Sequence, residues 1–235
     1  MPQPNAYSRE WFEFFHVGID EVRTNQEAMF VARCAPLLDF RKVLDLCCGM
    51  GRHARALAKL GYSVVGIDRD PDVISQARKL SGGPDYVVAE ILDYTPERGA
   101  FDVAIVMSQS FGYFDPETNR DVLARLAGSI RKGGRIILDL WNPAFFASHQ
   151  GAREFVTPRG KVQENKKVDG DRLFVELLYP SSNREQFEWQ LFSPAQMTEF
   201  ARSVGLNLLA SCTEFNANVS PSASKPRIQF VLEKQ

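Results

Sequence analysis

In the stretch VLDLCCGMGRH, Val43 to His53, glycines at 49 and 51 separate an apolar β-branched run from a run of helical period. A turn without Cβ atoms there lets backbone N–H groups and a helix N-terminus come close to a ligand. Asp68 closes the next apolar run, SVVGID, where a carboxylate can accept both hydroxyls of a ribose. Alone, the glycines are only good turn chemistry. With Asp68 at the end of the second strand they point to a nucleoside-bearing cofactor.

Two nucleoside classes compete. GMGRHA also satisfies the permissive dinucleotide pattern, with Ala54 in third place, so an NAD(P)-dependent oxidoreductase has to be weighed. Against it, Asp45 sits just before the loop, where its charge is unhelpful beside a pyrophosphate but well placed for an ammonium. The chain is also too short for a separate hydride-acceptor domain. An amino-acid tail, with its ammonium toward Asp45 and its carboxylate toward the helix N-terminus, fits better. S-adenosyl-L-methionine carries that tail. A non-catalytic module that only binds this cofactor is the alternative from another class; it predicts no acceptor pocket, and the aromatic-rich SQSFGYF and N-terminal segments weigh against it.

The elements that must position these residues alternate. KVLDL (Lys42–Leu46), SVVGI (Ser63–Ile67), DYVVA (Asp85–Ala89), FDVAIVM (Phe101–Met107) and RIILDL (Arg135–Leu140) read as strands, and helical runs lie between most of them. Asp70 with Pro71, and Asp115 with Pro116, are cap and first-turn pairs; the second helix is expected to end at Gly133 and Gly134. From about Arg153 to Phe192 the period shortens. EFVTP, KVQENKKV and RLFVELLYP, with a turn at Asp169-Gly170-Asp171, predict a small antiparallel insertion. Ser193 and Pro194 then open a last helix, and NLLASCTEF and RIQFVLE follow as antiparallel neighbours. Near the N-terminus, Trp11, Phe14 and Phe15 share a helical face, and Thr24-Asn25-Gln26-Glu27 matches a capping box for a helix running toward Leu38.

From VLDLCCGMG through Asp68 to the closing strand, the chain resembles the class I S-adenosylmethionine-dependent methyltransferases. CCGMGRHARALAKLGYSVVGID, SQSFGYF and SKPRIQFVLE further resemble a small-molecule group in which CG.GRH and SFGYF recur. The resemblance implies a doubly wound α/β fold with a seven-stranded, mostly parallel sheet of order 3-2-1-4-5-7-6, strand 7 antiparallel. One domain, 1–235, would comprise an N-terminal helical lid (1–40), a cofactor-binding core (42–150), the insertion (153–192) and a last helix with closing strands (193–235). Asp45 would serve the methionine ammonium, and backbone at Cys47, Gly49 and Gly51 would line the methionine and ribose. Asp68 would hold the ribose hydroxyls with Arg69 beside the adenine. Glu90 and the Ile91 backbone would read the adenine edge, Asp93 being a rival acid, and Ser108 would border the cofactor. Cys47 stands where glycine is more frequent, and Arg69 where a small or apolar residue is.

Other candidates keep two readings each. Arg52 could pair with the methionine carboxylate or be a solvent-facing helix charge. His53 could accept a proton or complete a local hydrogen bond, and Tyr113 could face the acceptor or pack in its loop. Tyr7 and Trp11 could belong to a lid over the acceptor or to the core, since aromatic rings beside a sulfonium stabilise its charge. Methyl transfer from a sulfonium is an in-line displacement yielding S-adenosyl-L-homocysteine. It needs a base only when the nucleophile must lose a proton, and no base is assigned here.

Composition narrows the partners. The 235 residues carry 28 Lys plus Arg against 29 Asp plus Glu, for a formal net charge of −1, which excludes a broadly basic nucleic-acid binder. SQSFGYF is also not the Asp/Asn-Pro-Pro-aromatic motif of many DNA and protein amine methyltransferases. A small-molecule acceptor is expected, with no nucleic acid and no membrane partner, and the protein is expected to be a monomer or homodimer. MPQPNAYSREWFEFF lacks the order of a signal peptide, and four cysteines, with Cys47 and Cys48 adjacent rather than at CxxC spacing, are too few for a disulfide scaffold, so a cytoplasmic location is expected. His16, His53 and His149 form no metal-binding pair, and no metal is implied.

Overall fold

The computed structural model describes residue 5 and residues 7–16, 20–80 and 82–235. A short helix, α1 (Arg9–Trp11), runs into a π-helical turn (Phe12–His16), and α2 (Glu21–Cys34) follows. Then come β1 (Lys42–Leu46), α3 (Arg52–Lys59), β2 (Ser63–Asp68), α4 (Pro71–Lys79), β3 (Asp85–Val88), β4 (Phe101–Val106), α5 (Pro116–Ser129) and β5 (Ile130–Trp141). A one-turn helix, α6 (Pro143–Phe146), leads into β6 (Gly151–Thr157), β7 (Gly160–Asp169), β8 (Arg172–Leu178) and β9 (Arg184–Gln190). The chain closes with α7 (Pro194–Arg202), β10 (Leu206–Cys212) and β11 (Arg227–Lys234).

Among the described residues, seven strands form one sheet in the order β10-β11-β5-β4-β1-β2-β3. The pairs β1–β2, β1–β4, β2–β3 and β4–β5 are parallel, and β11 runs antiparallel to both its neighbours. Numbered in sequence within the sheet and read from the β3 edge, this is the expected 3-2-1-4-5-7-6. The pleat explains how a continuous apolar run serves two cores. Along β4, Val103 and Ile105 join Phe30, Leu57 and Ile74 on one face, whereas Ala104 and Val106 join Leu123, Leu126 and Met197 on the other. Each fully buried aliphatic side chain contributes about 1.5–3 kcal/mol relative to exposure. Among the described residues no helix is long and apolar enough to cross a membrane.

Three boundaries differ from those read in the sequence. Helix α2 starts at Glu21, because Asp20 caps it by accepting the Arg23 N–H at 2.7 Å. Thr24 lies a turn inside the helix, its hydroxyl donating back to the Asp20 carbonyl at 3.1 Å, so Thr24-Asn25-Gln26-Glu27 is not a capping box. Helix α5 ends at Ser129, and β5 runs through Gly133 and Gly134. The glycines absorb a bulge: Phe101 pairs with Ile130 but Val103 with Arg135, and a Cβ at Gly134 would come within 2.8 Å of the Asp102 carbonyl. The insertion contains four strands in the order β6-β7-β8-β9 rather than three runs. Its apolar face, including Val162, Leu173, Phe187 and Trp189, packs with Tyr7 and Trp11, with Tyr113 beyond β4 and with Trp141 at the end of β5. The second sheet therefore meets the first at the carboxyl ends of its strands, where ligands bind in open α/β folds.

Candidate cofactor and acceptor site

The end of β1 and the start of α3 make a tight loop in which Cys47, Gly49 and Gly51 all have left-handed backbone, with φ of 59°, 55° and 71°. The Cys48 N–H donates to the Ile67 carbonyl and the Gly51 N–H to the Cys48 carbonyl, both at 2.9 Å, which ties the loop to β2. At Gly51 a Cβ would lie 2.1 Å from the Tyr86 hydroxyl, whereas one built at Gly49 meets nothing within 4 Å. One glycine thus admits a neighbouring ring, and the other leaves backbone facing open space. Across the loop, Asp68 accepts the Gly49 N–H at 2.8 Å on Oδ2 and the Asp70 N–H at 3.1 Å on Oδ1. Each oxygen keeps lone-pair capacity for one hydroxyl of a vicinal diol.

Asp45 is 1% exposed, and its Oδ2 has no hydrogen-bond partner among the described residues. Burial pushes its carboxyl up to about 7, against the pull of the Arg52 guanidinium and the Ala54 N–H, with the Asp68 charge adding to the rise. An unpartnered buried carboxylate oxygen is costly unless a donor arrives. An ammonium satisfies it, so the residues fit a ligand carrying a nucleoside at one end and an amino acid at the other.

The other expected cofactor residues fall around this loop in different ways. The Cys47 thiol is pushed up by burial and then by the charges of Asp68, Asp45 and Glu90, which places Glu90 within electrostatic reach of the loop. Asp93 lies one turn further, its N–H donating to the Glu90 carbonyl at 3.1 Å, and Ile91 is half-buried between them. Arg69 is exposed, and its Nη2 donates at 2.9 Å to the Asn5 carbonyl, so its first partner is the N-terminal segment. Ser108 and Gln109 follow β4 with φ of 55° and 61°. Two successive non-glycine residues in this region are strained by about 1–3 kcal/mol each and need firm holding. Asp139 supplies it, its side chain accepting the Ser108 N–H at 3.0 Å and its carbonyl the Gln109 N–H at 2.9 Å.

Arg52 is not a solvent-facing charge. Its Nη1 lies 2.5 Å from Glu27 Oε2 and 3.2 Å from the Thr24 hydroxyl, and its Nη2 donates to the Ser108 hydroxyl at 2.9 Å. His53 sits in the contact between α3 and α2 with Nε2 2.7 Å from Glu27 Oε2, and burial holds its imidazole down at about 4, neutral at pH 7.

Above the loop stands an aromatic wall. The Tyr7 and Tyr113 hydroxyls are 2.7 Å apart, and burial pushes both phenols up. The Tyr7 ring centroid is 4.6 Å from that of Trp11 and 5.0 Å from that of Phe187, and Trp189 is 6.2 Å from Tyr113 and 6.0 Å from Trp141. Trp189 Nε1 donates to the Gln109 carbonyl at 2.8 Å, whereas Trp141 Nε1 is buried with no partner among the described residues. The N-terminal segment is sewn to β9 beside these rings. Asn5 exchanges side-chain hydrogen bonds with the Glu188 backbone at 2.9 and 3.1 Å, and the Ser8 N–H donates to Glu185 Oε1 at 2.7 Å.

Sequence reading missed Glu27, Asp139 and Arg227, which share one buried cluster, and the tryptophans at 141 and 189. Arg227 Nε donates to Asp139 Oδ1 at 2.9 Å, and its Nη1 lies 3.4 Å from Glu27 Oε1. A signal existed in the strands: Asp139 interrupts the apolar run RIILDL, and Arg227 and Gln229 interrupt RIQFVLE, at positions that register brings side by side.

A family model described as a methyltransferase domain matches residues 43–134. Cypemycin N-terminal methyltransferase from a Streptomyces species is 31% identical over 212 residues, covering 84% of this chain and 85% of that protein. Ubiquinone biosynthesis O-methyltransferase from Xanthomonas oryzae is 33% identical over 129 residues, 51% of this chain; the match spans about half of that relative, 53%. Among solved structures, an S-adenosylmethionine-dependent methyltransferase from Clostridium acetobutylicum superposes with a TM-score of 0.77 at 15% identity, covering 96% of each chain, a likeness of fold.

Proposed function

Since the chain belongs to the class I S-adenosylmethionine-dependent methyltransferases, we propose that it moves a methyl group from S-adenosyl-L-methionine to a nucleophilic atom of a small organic molecule. The observation that carries the reading is the buried, unpartnered Oδ2 of Asp45 beside the open backbone of Gly49. Asp45 takes the amino-acid ammonium, and Asp68, fixed by two backbone N–H groups, takes the ribose hydroxyls. Backbone at Cys47, Gly49 and Gly51 lines the methionine and ribose, Glu90 and the Ile91 backbone face the adenine, and Ser108 borders the ligand at the end of β4. Arg52, with Ser108 in its grip, offers positive charge to the tail carboxylate at the start of α3. When bound, the cofactor supplies an electrophilic methyl on a sulfonium, open to in-line attack.

Residues 7–16 and the β6–β9 sheet form the roof of the acceptor chamber. Tyr7, Trp11, Tyr113, Trp141 and Trp189 exclude water from it, and alignment of the acceptor against them supplies much of the rate. Trp141 Nε1, a donor with no partner among the described residues, lies in this apolar wall and would tether an acceptor oxygen or nitrogen lone pair.

Calorimetric titration with S-adenosylhomocysteine tests the proposal, with an Asp68→Ala variant and an NADH control. Micromolar or tighter binding is expected, weakened about a hundredfold or more in the variant, which loses two charge-assisted hydrogen bonds. No binding to folded protein, or binding of NADH alone, sinks the assignment, and the second result favours an oxidoreductase.

A further inference from the structure

We propose that Glu27, on α2 behind Arg52 and His53, is a positioning residue for the amino-acid-tail half of the cofactor site; this rests on the reading of that site as an S-adenosylmethionine site. The Glu27 side chain is 0% exposed and both its carboxylate oxygens are taken by protein donors, which leaves no coordination open for a ligand. It collects Arg23 at 3.1 Å, Arg52 at 2.5 Å, His53 at 2.7 Å and Arg227 at 3.4 Å. What matters is how Arg52 divides its planar fork. One Nη is anchored on Glu27, and this turns the other onto the Ser108 hydroxyl at 2.9 Å. Ser108 is a strained left-handed residue at the end of β4, and the charge of the same guanidinium pulls the Asp45 carboxyl down against its burial.

Without a carboxylate at position 27, Arg52 loses its anchoring anion beside the guanidiniums of Arg227, which keeps Asp139, and of half-exposed Arg23, and it has no reason to keep its aim on Ser108. The ribose end is held independently, because Asp68 takes its fixing bonds from the Gly49 and Asp70 backbone. Glu27 therefore acts on half of the cofactor and not the other. A purely structural acid would affect both halves alike.

The experiment compares two probes that share a nucleoside and a thioether, S-adenosylhomocysteine with the amino-acid tail and 5′-methylthioadenosine without it. In the full chain, Glu27→Gln is expected to weaken S-adenosylhomocysteine by about tenfold to a hundredfold, the loss of one charge-assisted hydrogen bond, and 5′-methylthioadenosine by less than about threefold. Thermal melting of the same samples establishes folding. If Glu27→Gln does not fold, Arg52→Lys keeps the charge but cannot span Glu27 and Ser108 together, and the same selective loss is expected. Equal weakening of both probes, or no weakening of the tailed one, in a folded variant overturns the proposal. A wild type that binds neither probe sinks the cofactor assignment instead.

Discussion

Two buried carboxylates lie on either side of Arg52 and are treated in opposite ways. Asp45 has one oxygen with no partner among the described residues, and burial lifts its carboxyl to about 7. Glu27 is equally buried, yet the His53 hydrogen bond and the charges of Arg52 and Arg227 outweigh that burial and hold it well below the usual carboxylate range. Desolvation is common to both, so the difference lies in partners. The acid whose coordination is complete fits a scaffold, and the one left incomplete fits the proposed role of receiving a ligand that brings the missing cation.

The largest expected effect falls on the scaffold side. Arg227→Met leaves Glu27 and Asp139 short of a buried cation, and stability should drop by about 3–5 kcal/mol, read as the denaturant midpoint. A loss below about 1 kcal/mol, the worth of a surface pair, would mean that the cluster is not scaffold and that the contrast with Asp45 is false.

Asp45→Asn comes next. S-adenosylhomocysteine should bind about tenfold to a hundredfold more weakly, since the ammonium loses its counter-charge. Stability should respond with the opposite sign. In the ligand-free wild type, ionised Asp45 is penalised above pH 7, and the penalty fades as pH falls toward the ordinary carboxylate value. The wild type should therefore gain on the variant in melting temperature between pH 8 and pH 5; a constant gap would show that Asp45 is not held up.

The smallest effect is the pH profile of cofactor affinity. Binding requires the Asp45 carboxylate, so affinity should weaken as pH falls below 7, approaching about tenfold per pH unit. Glu27 is held low and His53 sits at about 4, so neither contributes a slope between pH 6 and 8. Isothermal titrations at pH 6, 7 and 8 with wild type and Asp45→Asn measure it, and a slope that survives in the variant assigns the titration to another group.

The two carboxylates were also unequally legible in the sequence. Asp45 lies in a contiguous motif whose strand, glycines and helix are each recognisable; the alternation around it gave a parallel α/β sheet, and the strand order came from the family resemblance that the motif carries. Glu27 was disguised, because Thr24 three residues before it imitates a cap while Asp20 does the capping a turn earlier. Its real partners, Arg52, His53 and Arg227, lie up to 200 residues away, and no local period reports them. Strand β9 was hidden by its own charges. In REQFEWQ the inward set is Glu185, Phe187 and Trp189, and Glu185 is buried there because the Tyr179 hydroxyl and the Ser8 N–H both donate to it. The glycines at 133 and 134 read as a helix stop because a bulge and a stop use the same residue for the same freedom of φ.

The seam between Asn5, Ser8 and β9 bears on how such a protein can be recombined. The wall proposed as the roof over the acceptor is made of two pieces that stand more than 170 residues apart in the gene, joined by hydrogen bonds from Asn5 and Ser8 to residues 185–188. A single crossover that exchanges the insertion between relatives separates the pieces and leaves mismatched edges. New acceptor ranges should therefore arise from exchanges that carry both segments, and the first residues of the chain should be inherited with β9 as a pair.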